Sequence, residues 1–233
     1  MGDRGHDHNI RDQSDDRGLH RIFKLGIILN FSFFIADMIV WWLFTDTGSA
    51  AIFGDSLHNG LHGLAHAIAL WGHAGECEPS FRHGNESIAS KLRKNYAAQG
   101  IGWTIIAGAI LIAGFGAHQI INPEKFSSAW MIIMSSLDII SDAVLLILLW
   151  SYRYDPAARA MITDIKIDAL ASVAVIVGAL IILFTGFYRA DGIVALPIAF
   201  IALWLAKETI SEAKHSAKNL VRDNSDHKHQ NFD

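Results

Sequence analysis

Cysteine is almost absent from this chain: among 233 residues, Cys77 is the only one. A single cysteine excludes an internal disulfide and any zinc or iron–sulfur site built from several thiolates. Cys77 falls in the longest polar stretch between apolar segments, which is expected to face the cytoplasm, where a lone thiol stays reduced. Any metal chemistry must therefore rely on histidine and carboxylate side chains.

Charge is also scarce, since 18% of the residues are charged and 52% are hydrophobic. A helix that crosses a bilayer needs about 20 apolar residues. Six segments qualify: 24–45, 48–72, 97–121, 127–151, 160–187 and 191–211. The sequence predicts an all-α integral membrane protein with six transmembrane helices, in one domain at 22–213. A disordered polar tail is expected at 1–21 and a short polar tail at 214–233, because neither has the composition to bury a core.

Lysine and arginine fall almost entirely on one side of these segments. Of the 19 such residues, only Lys125 and Arg189 lie on the opposite side, and Lys166 lies within a span. The excess of positive charge marks the cytoplasmic side, so both termini are predicted to be cytoplasmic. No small-residue cleavage site follows the first span, which argues against a cleaved signal peptide. Together with the short loops, this favours a bacterial inner membrane.

Motifs for nucleotide-driven or covalent chemistry are absent as well. The sequence has no Walker motif, no dinucleotide-binding glycine pattern and no serine nucleophile elbow. An ATP-driven pump is therefore disfavoured, and neither an enzyme activity, an organic cofactor nor a nucleic-acid partner is predicted. A membrane di-iron oxygenase would need several histidine clusters with adjacent His-His pairs, which this chain lacks.

Two pairs of polar residues spaced four apart interrupt the apolar segments: His58 with His62, and Asp164 with Asp168. This spacing puts both members of a pair on one helix face. Ionisable side chains at membrane depth are costly, so a common partner is expected to offset the cost. Two imidazoles and two carboxylates suit Zn²⁺ in a four-coordinate shell, and the lack of a soft ligand argues against Cu⁺. The alternative is that these residues line an aqueous cavity or pair His to Asp without metal.

Several stretches resemble the cation diffusion facilitator family. GDSLHNGLHG is similar to that family's Asp followed by two ligands four apart, and DIKIDALASVAVIVGALIILFTGFYRADGIVAL is similar to its ligand-xxx-Asp-Ala-Leu-x-Ser-Val run. SFRHGNES resembles the HGKxES stretch, and Asn122-Pro123 matches the proline after the third span. The resemblance covers about residues 22–213. It implies a transmembrane domain that exports divalent metal ions from the cytoplasm in exchange for protons.

The sequence departs from the family pattern in its ligands and in its length. Zinc-type members usually carry His-xxx-Asp in both spans, whereas here one span supplies two histidines and the other two aspartates. Zn²⁺ is the first choice, and Cd²⁺, Co²⁺, Ni²⁺, Fe²⁺ and Mn²⁺ stay open. The family's usual carboxy-terminal metal-sensing and dimerising domain is not in this sequence. A homodimer is therefore expected to form through the membrane domain.

The third departure lies in the cytoplasmic loop. His83 falls on a position that binds a secondary ion in some members, while Pro79 replaces another ligand. Glu76, Glu78 and His83 could still hold an exposed metal ion. The alternative is an ordinary solvated loop.

Two further histidines extend the register of His58 and His62 along the second span. His66 and His73 lie on the same helix face and run toward the cytoplasmic end. We predict that they line a path by which cations reach the buried site from the cytoplasm. The alternative is a pair of polar residues in a water-filled vestibule.

Other ionisable residues also lie within the spans. Asp138 and Asp142 form another four-spaced pair, and Lys166 lies between the two fifth-span aspartates in sequence but on another helix face. A lysine at that depth needs a carboxylate partner or a route for its ammonium group to reach water. We predict that Lys166 pairs with Asp142, Asp138 or Asp37, and that these carboxylates form an ion pair or a proton path.

The two tails pair histidine with aspartate, at His6, Asp7 and His8 and again at Asp226, His227 and His229. Such tracts can hold metal weakly, although ordinary solvated tails are the simpler interpretation. The sequence as a whole predicts a divalent metal efflux transporter that exchanges metal for protons by alternating access. The alternative function is a non-transporting membrane metal sensor or partner subunit.

Overall fold

The computed structural model describes the backbone of residues 5–43, 50–74, 87–123 and 128–230. Nearly all of this backbone is helical. The helices are α1 (Gly5–Leu43), α2 (Ala50–Gly72), α3 (Ile88–Ile121), α4 (Ser128–Trp150), α5 (Pro156–Thr185) and α6 (Ala190–Gln230). Over those ranges no β-strand occurs. The predicted all-α membrane fold is confirmed.

Within the described residues, five stretches are long and apolar enough to cross a membrane: Arg17–Ile39, Ile88–Ile121, Met131–Trp150, Pro156–Thr185 and Ala190–Arg222. Their outer faces carry large apolar side chains, with Ile147, Phe184 and Phe200 at least 72% exposed. Apolar surface of this kind suits lipid rather than water. The protein is therefore a multi-pass integral membrane protein. The sequence counts α2 as a span too, and its 23 residues would extend about 35 Å.

The helices pack as a bundle in which neighbours along the chain and distant helices both meet. The most extensive contacts join α3 to α6, α1 to α2 and α4 to α5, while α2 meets α5 over a short stretch. The α3–α6 contact is close because Gly116 faces Gly192, where an added Cβ would overlap the backbone of α3. Small residues allow this approach between membrane helices.

Helix α5 begins at Pro156, directly after its N-cap residue Asp155. Asp155 accepts hydrogen bonds from the backbone N–H groups of Ala157 and Ala158, each at 3.0 Å, and Pro156 occupies the first helical turn. Aspartate at the N-cap and proline just inside it are both favoured there. At the other end, Gly186 adopts a left-handed conformation with φ 68°. The sequence prediction started this span at residue 160 because it counted apolar residues rather than caps.

Helices α1 and α6 extend into the stretches that the sequence assigned to polar tails. For α6, the buried residues Ala206, Ile210, Ala213 and Ala217 recur at helical spacing from the end of the apolar run into the polar stretch after it. An amphipathic stripe of this kind continues a helix along the bundle without an uninterrupted apolar segment. A search for apolar runs alone does not detect it.

Candidate metal site

Helices α2 and α5 bring the two predicted residue pairs together in the interior of the bundle. His58 Nε2 lies 3.1 Å from Asp168 Oδ1, and His62 Nδ1 lies 2.8 Å from Asp164 Oδ2. His62 Nε2 also lies 3.4 Å from Asp168 Oδ2. Each imidazole of the α2 pair therefore meets a carboxylate of the α5 pair.

Three of the four side chains converge on one point. The ligand atoms of His58, His62 and Asp168 all lie within 4.8 Å of one another. The Nε2 atoms of the two histidines are 2.9 Å apart. In a zinc tetrahedron with bonds of about 2.0–2.1 Å, neighbouring ligand atoms are about 3.3 Å apart. The three groups thus already stand close to the separations of a zinc shell.

Asp164 has a different position relative to this cluster. Its carboxylate bonds Nδ1 of His62, on the ring edge away from the Nε2 atom that faces His58. A carboxylate on the second ring nitrogen fixes the orientation and tautomer of a metal-binding imidazole. In this arrangement Asp164 orients His62, and its direct ligation to metal would require the His62 ring to turn.

The cluster is shielded from its surroundings. The exposed fractions of His62, Asp164 and Asp168 are 6%, 3% and 7%, and His58 is half-buried. Buried polar atoms normally have hydrogen-bond partners, and the His–Asp contacts supply most of them here. His58 Nδ1 is an exception, since it has no partner in the part of the chain that the structure describes.

A small cavity adjoins the cluster and is walled by α3 and α6. Its volume is about 10 Å³, room for roughly one water-sized sphere. The lining includes His58, His62, Asp164, Thr104, Gly108 and Ala202. A Cβ on Gly108 would lie 3.2 Å from His58 Nδ1, so this glycine leaves space for the imidazole. Sequence reasoning missed Thr104 and Gly108; their four-residue spacing on α3 was the available signal.

His66 lies one turn from His62 and is completely enclosed. Its exposed fraction is 1%, its ring packs against Phe23 with the centroids 6.4 Å apart, and its Nδ1 atom has no partner among the described residues. Gly26 of α1 makes room for the ring, because a Cβ there would overlap it. The predicted cation path past His66 stays a proposal.

His73 is engaged elsewhere, at the end of α2. Its Nε2 atom lies 3.0 Å from Asp155 Oδ2 and its Nδ1 atom lies 3.0 Å from the carbonyl oxygen of Ala69. Both ring nitrogens therefore have protein partners away from the cluster of His58, His62 and Asp168. Asp155 was not singled out from the sequence, where Asp155-Pro156 indicated only a turn.

Carboxyl groups of α1 and α4 lie beside the histidine–aspartate cluster. Asp37 is 2% exposed and accepts a hydrogen bond of 3.0 Å from Asn59 Nδ2. Asp142 is 6% exposed, and its Oδ2 atom has no partner among the described residues. The charges of Asp138 and Asp142 both interact with that of Asp168. These carboxyl groups lie around the site without contacting its four side chains in the described part of the chain.

The ion pair predicted for Lys166 is not formed in the described part of the chain. The side chain is exposed, and its ammonium nitrogen lies 5.3 Å from the centroid of the Trp150 ring. The sequence placed Lys166 correctly away from the aspartates of its own helix. It could not show that Trp150, at the end of α4, offers a cation–π contact that lets the charge stay at the surface.

Replacing Lys166 tests whether this side chain acts only as an exposed residue beside Trp150. Lys166→Met is expected to change metal flux by no more than about twofold, because an exposed residue with one ring contact contributes little. Initial transport rates in vesicles measure this. A strong loss of flux would contradict the surface role and revive an ion pair with Asp142, Asp138 or Asp37.

Some predicted residues lie outside the described residues or have side chains that are not described. Glu76, Glu78, Pro79 and His83 belong to the first group. The side chains of His6, Asp7, His8, Asp226, His227 and His229 belong to the second.

Ionisable side chains buried within a helical membrane bundle commonly mark the pathway of an ion or substrate. The chain matches the family model of the cation efflux transmembrane domain over residues 23–221. It belongs to that family, which consists of metal cation efflux transporters and not of enzymes. No curated protein matches the chain.

Proposed function

We propose that this protein exports divalent metal ions, Zn²⁺ first among them, in exchange for protons. Metal would bind at His58, His62 and Asp168, with Asp164 orienting His62 or replacing one ligand. The observation that carries the proposal is the meeting of the two four-spaced pairs across the α2–α5 contact, with each imidazole bonded to a carboxylate.

The donor set supports zinc as the preferred substrate. Imidazole nitrogen and carboxylate oxygen both suit Zn²⁺ at tetrahedral spacing. Mg²⁺ prefers six oxygen ligands and keeps several of its waters. The cavity beside the cluster holds about 10 Å³, which is too small for a hydrated ion. Cd²⁺, Co²⁺, Ni²⁺, Fe²⁺ and Mn²⁺ remain possible substrates, because the same ligands accept them.

Protons and metal would compete for the same atoms. The hydrogen bond between His58 Nε2 and Asp168 and the contact between the two Nε2 atoms place protons on the nitrogens that would bind metal. A nitrogen must release its proton before it binds metal, whereas the hydrogen bond between His62 Nδ1 and Asp164 can be kept. Loading a cytoplasmic ion would therefore expel protons, and protons entering from the opposite side would displace the ion. This competition is the proposed basis of exchange.

Alternating access would require α2 and α5 to move relative to the rest of the bundle. They meet over a short stretch, whereas α3 and α6 are in close contact. A homodimer formed through the membrane domain, in a bacterial inner membrane, is part of the proposal.

The proposal is tested by zinc uptake into proteoliposomes with an imposed proton gradient. Zinc flux is expected to follow the gradient, to reverse with its direction and to fall to background when a protonophore collapses it. Mg²⁺ serves as the matched control ion and is expected to show no gradient-driven flux.

The possible results separate the candidate functions. Zinc flux that ignores the proton gradient would refute the antiport while leaving a metal transporter. Zinc binding without flux would refute transport and favour the sensor or partner-subunit alternative. Absence of both would contradict the metal site itself.

A further inference from the structure

A second buried ionic cluster lies at the end of the bundle that is predicted to face the cytoplasm. Asp155 Oδ2 lies 3.0 Å from His73 Nε2 and 3.2 Å from Lys94 Nζ. The His73 side chain is completely buried, and the side chains of Lys94 and Asp155 are 10% and 14% exposed. The cluster therefore joins the end of α2, the first turns of α3 and the turn before α5.

Further contacts tie α1 and α3 to the same point. His20 of α1 bonds the carbonyl oxygen of His73 through Nε2 at 3.1 Å, and the two rings meet edge to face. The Nε atom of Arg93 donates to the carbonyl oxygen of Gly72 at 3.1 Å. Among the residues that the structure describes, His20, Arg93, Lys94 and Asp155 are thus the titratable or charged groups that the neighbouring elements place around His73. Asp155 is the only one of these four with a negative charge.

The hydrogen bonds of His73 indicate that its ring carries two protons. Nδ1 faces the carbonyl oxygen of Ala69 and Nε2 faces the carboxylate of Asp155. Both partners can only accept, and a neutral imidazole has a single N–H group to donate. Only the imidazolium form satisfies both bonds. Loss of one proton leaves either the carbonyl or the carboxylate facing a ring nitrogen without a hydrogen between them.

The pKa shifts of His73 and Asp155 agree with a His73 ring that carries two protons. Burial would lower the pKa of His73, but the hydrogen bond and charge of Asp155 outweigh it and raise the pKa above its usual value. Burial would raise the pKa of Asp155, but His73 and Lys94 lower it to about 2. The Asp155 carboxylate therefore stays charged at physiological pH. The stabilisation of the cluster by the charged His73 ring is present at low pH and is lost as the pH rises through the raised pKa of His73.

The cluster lies next to both helices that carry the candidate metal ligands. Asp155 is the N-cap of α5, the helix that carries Asp164 and Asp168. Ala69 and His66 lie behind His73 along α2, between the cluster and His62. The cluster joins α2, α3 and the start of α5, and Ala69 and His73 are completely buried at this end of the bundle.

We propose that His73, Lys94 and Asp155 form a proton-controlled latch that closes the cytoplasmic end of the path to the metal site, and that loss of the His73 proton opens it. The proposal extends the proposed function, since an alkaline cytoplasm would then favour loading of metal. It concerns access alone, so it can be tested without metal and without flux.

The test measures access to a cysteine placed behind the latch. Ala69 is completely buried and becomes cysteine in a Cys77→Ser background. A membrane-impermeant maleimide is added from the cytoplasmic side of the reconstituted protein. The exposed Ser151, replaced by cysteine in a parallel sample, corrects for the reagent's own pH dependence. The corrected labelling rate at Ala69→Cys is expected to rise about tenfold between about pH 6 and about pH 8.

Two variants are expected to remove this pH dependence. His73→Gln cannot carry charge, and Asp155→Asn removes the carboxylate while keeping a good N-cap side chain for α5. Both are expected to label at the fast rate at either pH. The matched control is Glu212→Gln, which breaks an exposed ion pair with Arg159 at 3.6 Å and is expected to leave the pH dependence unchanged.

The latch is overturned by a corrected rate that does not change with pH, or by pH dependence that persists in His73→Gln. Circular dichroism and gel filtration of each variant verify that the fold is kept. If Asp155→Asn fails to fold, His73→Gln and Lys94→Met decide the outcome. Failure of zinc transport would leave these labelling results intact, so the two proposals are refuted by different measurements.

Discussion

Asp168→Asn is expected to lower the initial rate of zinc flux by at least about 100-fold. Asp168 is the one residue of the cluster that meets both histidines, through Oδ1 to His58 and Oδ2 to His62. Asparagine keeps the size and can still hydrogen-bond, but it removes the negative charge that is proposed to bind metal and that faces the two imidazoles. Flux into proteoliposomes and zinc binding by isothermal calorimetry measure the effect, and both are expected to fall together.

The matched control is Asp191→Asn, the same chemical change at a half-buried carboxylate in the first turn of α6. This variant is expected to keep flux within about twofold of the unaltered protein. Retained flux in Asp168→Asn would remove Asp168 from the site. Equal losses in both variants would show that the change acts on the fold rather than on metal binding.

Gly108→Val is expected to reduce zinc affinity and flux by more than about tenfold. The new Cβ would lie 3.2 Å from His58 Nδ1 and 3.4 Å from His58 Cε1, and the valine methyl groups would fill the cavity of about 10 Å³. Overpacking of this kind forces neighbouring side chains to shift, at a cost of about 1–3 kcal/mol. The shift would displace the His58 ring from the cluster. Zinc binding and flux are measured on protein of verified thermal stability.

Gly114→Val provides a control on the same helix. A Cβ at Gly114 meets nothing within 4 Å, so valine there changes helix propensity in the same way without touching the site. This variant is expected to bind and transport zinc normally. Comparable losses in the two variants would place the effect in α3 itself and contradict the assignment of Gly108 to the wall of the site.

The helical membrane fold and the two residue pairs of the proposed site could be recognised in the sequence because both follow from local spacing. Apolar runs of sufficient length define spans. Four-residue spacing puts His58 with His62, and Asp164 with Asp168, on single helix faces whatever the rest of the chain does. Ionisable side chains are energetically costly at membrane depth, which indicates that the two helix faces share a binding partner.

The remaining features depend on which helices meet and could not be read from spacing. The latch joins His73, Lys94 and Asp155, which come from three parts of the chain, and no local pattern relates them. The surface position of Lys166 depends on the neighbouring Trp150 ring. The role of Gly108 depends on the approach of α3 to His58. Each of these is decided by tertiary packing.

The short α2–α5 contact would affect the affinity of the protein for its metal ion. Because the proposed ligands come from both helices, an ion bound there would act as a cross-link between them, and its affinity would include the free energy of bringing the helices together. Substitutions that hold α2 and α5 together permanently would thus strengthen binding while slowing turnover. Affinity and transport rate are expected to change in opposite directions along such a series.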